Sequence, residues 1–247
     1  MTILIVVRTA SAVVFAADSK LTTQGFVGFD TNGDPLFIPQ TYDNAVKIGH
    51  DRNKTLMAAV TGNAAVGEIG VIDFLSQAKG QFTDDAGQDA YIQELILRMG
   101  KMRFDYWTSL QLAQDRWPFT GILIATTSPQ TSQPRLWRVS FVEDRCEVDQ
   151  ILLFPGVWLD GSYNDAFCLL YGNHPEVMEQ LRIGLNVTEQ AFDQALKSGR
   201  VIKPINRLNV AAMPIQDAMD LAGFLAVFRS KWSVSCLVLH SAAAPLT

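Results

Sequence analysis

The chain is poor in several features, and each shortage excludes something. Cysteine occurs only at Cys146, Cys168 and Cys236 in 247 residues. An odd number at wide spacing is neither a disulfide framework nor a paired-cysteine metal site, and it fits a reducing, cytoplasmic compartment. The histidines, His50, His174 and His240, stand far apart and read as structural or surface residues. No Walker A, GxGxxG or HExxH pattern occurs, so no cofactor and no metal are expected. Positive charge is scarce: 20 Lys and Arg against 25 Asp and Glu leave a net charge of −5. A nucleic-acid binder would need a clustered basic surface, so no nucleic-acid partner is expected. No apolar run reaches about 18 residues, so no spanning helix and no membrane partner are expected. A secretory leader places positive charge ahead of its apolar core, whereas here Arg8 follows the apolar Ile3 to Val7 and Asp18 comes soon after. The glycosylation patterns at Asn53 and Asn186 are then incidental.

What remains is a chain 48% hydrophobic and 18% charged, well supplied for a core and unlike a disordered sequence. Thr2 to Val7 and Ala12 to Ala17 are apolar at odd and even positions alike, as in strands covered on both faces. Residues 21–45 are polar with Asn32-Gly33-Asp34-Pro35 at their centre, which reads as an extended hairpin or loop. Strand character resumes at Lys47-Ile48 and over Thr55 to Val60, and Thr61-Gly62-Asn63 breaks it. Helical spacing predicts a helix over 64–79 through Val66, Ile69, Ile72, Phe74 and Leu75. A second helix is expected over 88–114, where Ile92, Leu95, Ile96, Met99, Met102, Phe104 and Trp107 form a core-facing stripe.

Strands return over 120–126 and 135–141, with two short ones over 148–159 around Pro155-Gly156. Helices follow over 162–172, 175–200 and about 213–229, with a linker over 201–209 and a last strand over 233–239. Strand blocks alternating with helix pairs indicate an α+β fold. Strands apolar on both faces indicate two antiparallel sheets packed together and covered outside by helices, a four-layer α-β-β-α sandwich.

The chemical signal lies at the front. Removal of Met1 leaves Thr2 first, and an N-terminal threonine carries nucleophile and base together, because its own α-amine can take the hydroxyl proton. That amine titrates near 7.7–8.0 when unperturbed, and a neighbouring cation lowers it further.

Thr2, Phe15-Ala-Ala-Asp18-Ser-Lys20, Val46-Lys47-Ile48 and Ala59-Val-Thr-Gly62 together resemble the front half of proteasome β subunits and their bacterial relatives, which are N-terminal-nucleophile (Ntn) hydrolases. In that family an Asp follows the threonine by sixteen residues, as 18 − 2 = 16 does here. The resemblance implies a single domain over 1–247 with insertions near 21–45 and 173–210. It implies Thr2 as nucleophile, Lys47 as the cation tuning its amine, and Asp18 as the partner holding Lys47. It further implies the Gly62 N–H as oxyanion donor and Ser162, in Leu159-Asp-Gly-Ser162, as a hydroxyl near the amine. The family's second Asp, near the end of the last helix, has no obvious counterpart in Arg229-Ser-Lys-Trp-Ser233. The implied activity is threonine-type cleavage of peptide bonds in peptides or unfolded proteins through an acyl-enzyme, by a homo-oligomeric ring. The helices over 64–79 and 88–114 are then its interface elements, and any ATPase partner is unspecified. A non-catalytic assembly or scaffold protein of the same fold, and an amidase for small amides, are the alternatives.

Overall fold

The computed structural model describes residues 3–18, 21–42, 45–161, 179, 182–183, 186–197, 209–227 and 234–240. The architecture is mixed α and β, built on antiparallel sheets. Strands β1 (Ile3–Arg8) and β2 (Ala12–Asp18) are buried at every position, as their unbroken apolar runs require. They form the centre of a sheet ordered β12-β1-β2-β13, where β12 is Gly156–Gly161 and β13 is Val234–His240. A second sheet is ordered β11-β10-β9-β6-β5. Its strands are β5 (Ile48–His50), β6 (Leu56–Gly62), β9 (Thr120–Thr127), β10 (Pro134–Val142) and β11 (Arg145–Gln150).

Strand alternation sorts the core. Leu4, Val6, Val13, Phe15 and Ala17 of the first sheet pack against Met57, Ala59, Leu123, Ala125 and Leu136 of the second. The opposite faces meet helices. Ile3, Ile5, Val7, Val14 and Ala16 pack on Ala218, Ala222, Leu225 and Ala226 of helix α4 (Ile215–Val227). Leu56, Ala58, Val60, Ile122 and Ile124 pack under α1 (Val71–Gln77) and α2 (Asp85–Ser109). Each large apolar side chain buried this way contributes about 1.5–3 kcal/mol.

The segment 21–45 is a hairpin, β3 (Leu21–Phe29) and β4 (Pro35–Tyr42), paired only to itself among the described residues. Phe26 and Phe37 face each other across it and pack on Trp107, Leu112 and Trp117. The other face leaves Val27, Leu36 and Ile38 exposed.

Several expected boundaries move. The helix expected over 64–79 is only Val71–Gln77. Gly67 and Gly70 weaken helix ahead of it, and the chain instead makes a small hairpin of β7 (Ala65–Val66) and β8 (Ile69–Gly70), closed by the Val71 N–H donating to the Ala64 carbonyl. The helix expected over 88–114 begins earlier, because the Asp84 carboxylate caps it by accepting from the Gly87 N–H at 2.7 Å. It ends at Ser109, and Gln111 has φ +56. The strand expected from 148 starts at Arg145 and is exposed throughout, so burial gave it no periodicity. Within 175–200, α3 spans Glu189–Lys197 and is preceded by a turn at Asn186, φ +52, which excludes one continuous helix. The helix expected over 162–172 and the linker over 201–208 lie outside the described residues. Among the described residues no helix is long and apolar enough to cross a membrane.

Candidate active site

The ends of four strands converge at one end of the paired sheets. β1 starts there at Ile3, β2 finishes at Asp18, β5 begins just after Lys47, and β6 finishes at Gly62. A single carboxylate oxygen joins the first three. Asp18 Oδ1 accepts from Lys47 Nζ at 2.7 Å and from the Ile3 N–H at 3.0 Å. Both side chains are buried, at 1% exposure for Lys47 and 5% for Asp18. Burial pushes the Lys47 ammonium below the ordinary lysine value, and the Asp18 hydrogen bond and charge push it partly back.

Lys47 is also held through its backbone, whose carbonyl accepts the Val60 N–H at 3.0 Å. The sixth strand therefore sets the height of Lys47 against the second sheet. Two residues on, Gly62 ends the strand with φ +72. A Cβ there would lie 2.6 Å from the Phe119 carbonyl oxygen, a backbone atom that cannot swing away. Only glycine fits, on grounds of both conformation and space. Strand alternation fixes where its amide points. Asn63 donates its N–H to Phe119 on β9's side at 2.8 Å, and Val60 donates toward Lys47 on β5's side. Gly62 shares the parity of Val60, so its N–H lies on the Lys47 side. Gly62 itself is exposed.

Of the expected site residues, Asp18 and Lys47 are in contact, and Gly62 ends the strand that hydrogen-bonds Lys47. Thr2 and Ser162 lie outside the described residues, as does Lys20. Their chain neighbours are placed: Ile3, which follows Thr2, pairs with Gly161, which precedes Ser162, across β1 and β12. Among the described residues no cluster of three or more His, Cys, Asp or Glu could hold a metal.

Sequence reasoning missed three buried polar groups. Asp51 accepts from the Thr55 N–H and hydroxyl at 2.7 Å each, from the Leu56 N–H at 2.9 Å and from the Gly80 N–H at 3.0 Å. Arg103 donates to the carbonyls of Glu143 and Pro118, both at 2.5 Å. It sits four residues from both Met99 and Trp107 on the buried stripe of α2, so helical spacing was the signal that could have found it. The Thr61 hydroxyl is buried with no hydrogen-bond partner among the described residues, and nothing in sequence distinguished it from a strand threonine.

No protein-family model matches the chain, and no curated protein matches it. Solved structures with some likeness include Anbu (ancestral beta-subunit) from Yersinia bercovieri, at 11% identity and a TM-score of 0.44 over 96% of this chain and 81% of that one. Another is the helical assembly of the Anbu complex from Pseudomonas aeruginosa, at 14% identity and a TM-score of 0.49 over the same shares. At such scores neither likeness carries a functional conclusion. The resemblance to proteasome β subunits is thereby corrected: no matching family supports it, and these neighbours carry a different name. The physical reason is that Asp18, Lys47 and Gly62 form a local strand-end pattern. Any chain that buries a Lys–Asp pair between two sheets can acquire that pattern without sharing the rest of a family.

Proposed function

We propose that the chain is a threonine-type N-terminal-nucleophile hydrolase that cleaves amide bonds through an acyl-enzyme on Thr2. One observation carries the reading: a single buried oxygen of Asp18 accepts from both the Lys47 ammonium and the Ile3 N–H. The cation and the start of β1 are thus held within two hydrogen-bond lengths, about 6 Å. Thr2 is bonded to Ile3, so across a trans peptide its Cα lies about 3.8 Å from that of Ile3. Leu4 and Val6 face the second sheet, and the reading requires position 2 to share their face.

With Met1 removed, the Thr2 hydroxyl attacks the substrate carbonyl carbon and its proton passes to the α-amine. The Gly62 N–H, on the Lys47 side of β6, donates to the oxyanion. The α-ammonium then protonates the leaving amine as the C–N bond breaks, which leaves an ester on Thr2. The amine next takes a proton from water, whose hydroxide attacks the ester carbon, and the ammonium returns that proton to the threonine oxygen as the acyl C–O bond breaks, which frees the threonine. Lys47 keeps the amine neutral at working pH by disfavouring its ammonium form. Asp18 holds Lys47 in place, and Ser162 supplies a hydroxyl near the amine.

The sheet and helix contacts, in this reading, close into the four-layer sandwich of one domain over 1–247. Peptides and unfolded segments are the proposed substrates, and a reducing, cytoplasmic setting is the proposed location. Leu97 and Phe104 on α2 are exposed, which supports burial of that helix face between copies in a homo-oligomer. The test is chemical. Intact mass should show loss of Met1, a β-lactone should label the protein once, and Thr2→Ala should abolish labelling. Full retention of Met1 in the native host, or labelling unchanged in Thr2→Ala, rejects the hydrolase. A retained Met1 would leave Asp18 and Lys47 as a structural ion pair in a non-catalytic protein.

A further inference from the structure

We infer that Phe119 is a positioning residue for the Gly62 amide, an assignment that rests on the proposed amide-hydrolase reading. A backbone N–H stabilises an oxyanion only when it is aimed before the charge develops. Gly62 is the last residue of β6 and has φ +72, a conformation in which glycine is free to wander unless neighbours fix it.

Phe119 fixes it twice. Its carbonyl accepts the Asn63 N–H at 2.8 Å, which holds the residue after the turn. Its ring then covers the turn: a Cβ at position 62 would lie 2.7 Å from Phe119 Cδ1. The same ring reaches the adjacent strand, where a Cβ on Gly121 would lie 3.1 Å from Phe119 Cζ and 2.5 Å from Thr61 Oγ1. Two glycines on paired strands therefore make the seat that the ring occupies, with the buried Thr61 side chain against its floor.

The segment leading to Phe119 is itself anchored. Arg103, 2% exposed, donates through Nη2 to the Pro118 carbonyl at 2.5 Å. Its guanidinium lies over the rings of Trp117 and Phe141 at 5.7 and 5.8 Å. The Trp117 indole donates to the Leu112 carbonyl at 3.1 Å. A buried guanidinium bonded to neutral carbonyls is costly, and it holds the two residues that come before the ring. Phe119 is 39% exposed, so the core does not need it there. Its ring lies against the Gly62 turn.

The experiment uses the full chain as wild type, Phe119→Ala and Phe119→Leu. It measures the rate of covalent labelling by a β-lactone, kcat and KM on a fluorogenic peptide amide, and thermal unfolding. Phe119→Ala should lower kcat and the labelling rate by about 10–100-fold, below the full loss of an oxyanion donor, with KM within about threefold. Phe119→Leu, which keeps apolar bulk over Gly62, should recover most of that loss. A wild-type kcat in Phe119→Ala overturns the assignment, and so does a raised KM with kcat unchanged, which would make the ring a substrate contact. Should Phe119→Ala fail to fold, a wild-type kcat and labelling rate in a folded Phe119→Leu overturn it, and a lowered kcat at constant KM supports it. A wild type that has lost Met1 and still resists the probe rejects the hydrolase itself, and this inference falls with it. A reactive wild type with unaffected variants rejects only the role of Phe119.

Discussion

Asp18 and Asp51 are both buried carboxylates, 4% and 0% exposed, and they are satisfied in opposite ways. Asp51 draws four neutral donors from Thr55, Leu56 and Gly80 and so ties the turn before β6 to the segment after α1. Asp18 reaches 29 residues along the chain to a lysine and 15 back to the amide of Ile3. Asp51 demonstrates that, among the described residues, this fold buries a carboxylate with neutral hydrogen bonds alone. Solvation therefore does not demand a lysine at Asp18. A buried ion pair adds little net stability over well-packed alternatives, because both charges lose water. Lys47 bears that cost visibly, since burial is the largest influence on its ionisation. The Asp51 loop reads as architecture, and the Asp18 end keeps a cation that architecture does not require.

The two carboxylates should part most sharply at Lys47. Under the proposed mechanism Lys47→Ala lowers turnover by about 100-fold or more, the range set by a general base that has lost its tuning. Stability should fall too, by about 3–5 kcal/mol, because Asp18 keeps its burial and loses its partner. Asp18→Asn with Lys47→Met separates the two effects, because it removes both charges together. That variant should regain most of the stability and none of the activity, as read by denaturant unfolding beside turnover. Turnover within a few-fold of wild type in Lys47→Ala removes Lys47 from the mechanism.

Asp51→Ala is expected to invert the pattern. It strands several buried donors, and each unsatisfied group costs about 1–3 kcal/mol. The variant should lose several kcal/mol on urea unfolding while the folded fraction keeps kcat within about threefold of wild type, far from the general-base range. A 100-fold loss of kcat in protein that is still folded would place Asp51 in the site and dissolve the contrast.

How much of this the sequence disclosed follows from how each residue is held. The covered strands were legible because Ile3 to Val7 and Ala12 to Ala17 are apolar at odd and even positions alike, which burial on both faces explains. Asp18, Lys47 and Gly62 were singled out only through the resemblance, because taken alone they read as a turn cap, a solvated strand charge and a turn glycine. Asp51 was hidden: its donors come from residues four, five and 29 positions away, and a polar loop aspartate looks solvated until the loop closes over it. Phe119 was hidden for a similar reason, since the two glycines that seat its ring are far apart in sequence and meet only when β6 pairs with β9. Proteasome kinship was over-read from the same few strand-end residues that made the site legible.

Lys47 should also move stability and activity in opposite directions as pH rises. Burial holds the folded-state pKa of Lys47 below its ordinary value, so between that pKa and about 10.4 the unfolded chain binds more protons than the folded one. Stability contributed by Lys47 therefore rises with pH across that window. Activity should fall across it, because the same deprotonation removes the cation beside the threonine amine. Tyr91 complicates the raw curve: burial and then the Asp51 charge push its phenol up, so the folded state holds that proton longer and loses stability above about pH 10. The Asp18→Asn, Lys47→Met variant keeps Tyr91 and Asp51, and subtracting its unfolding free energy cancels their contribution. Below about pH 10.4, from wherever the folded-state Lys47 begins to lose its proton, the wild-type value should gain on the variant as pH rises. Over the same interval kcat/KM should decline. A flat difference would mean that Lys47 does not titrate there, whereas a rising difference with a flat rate profile would mean that its charge has no influence on the start of β1.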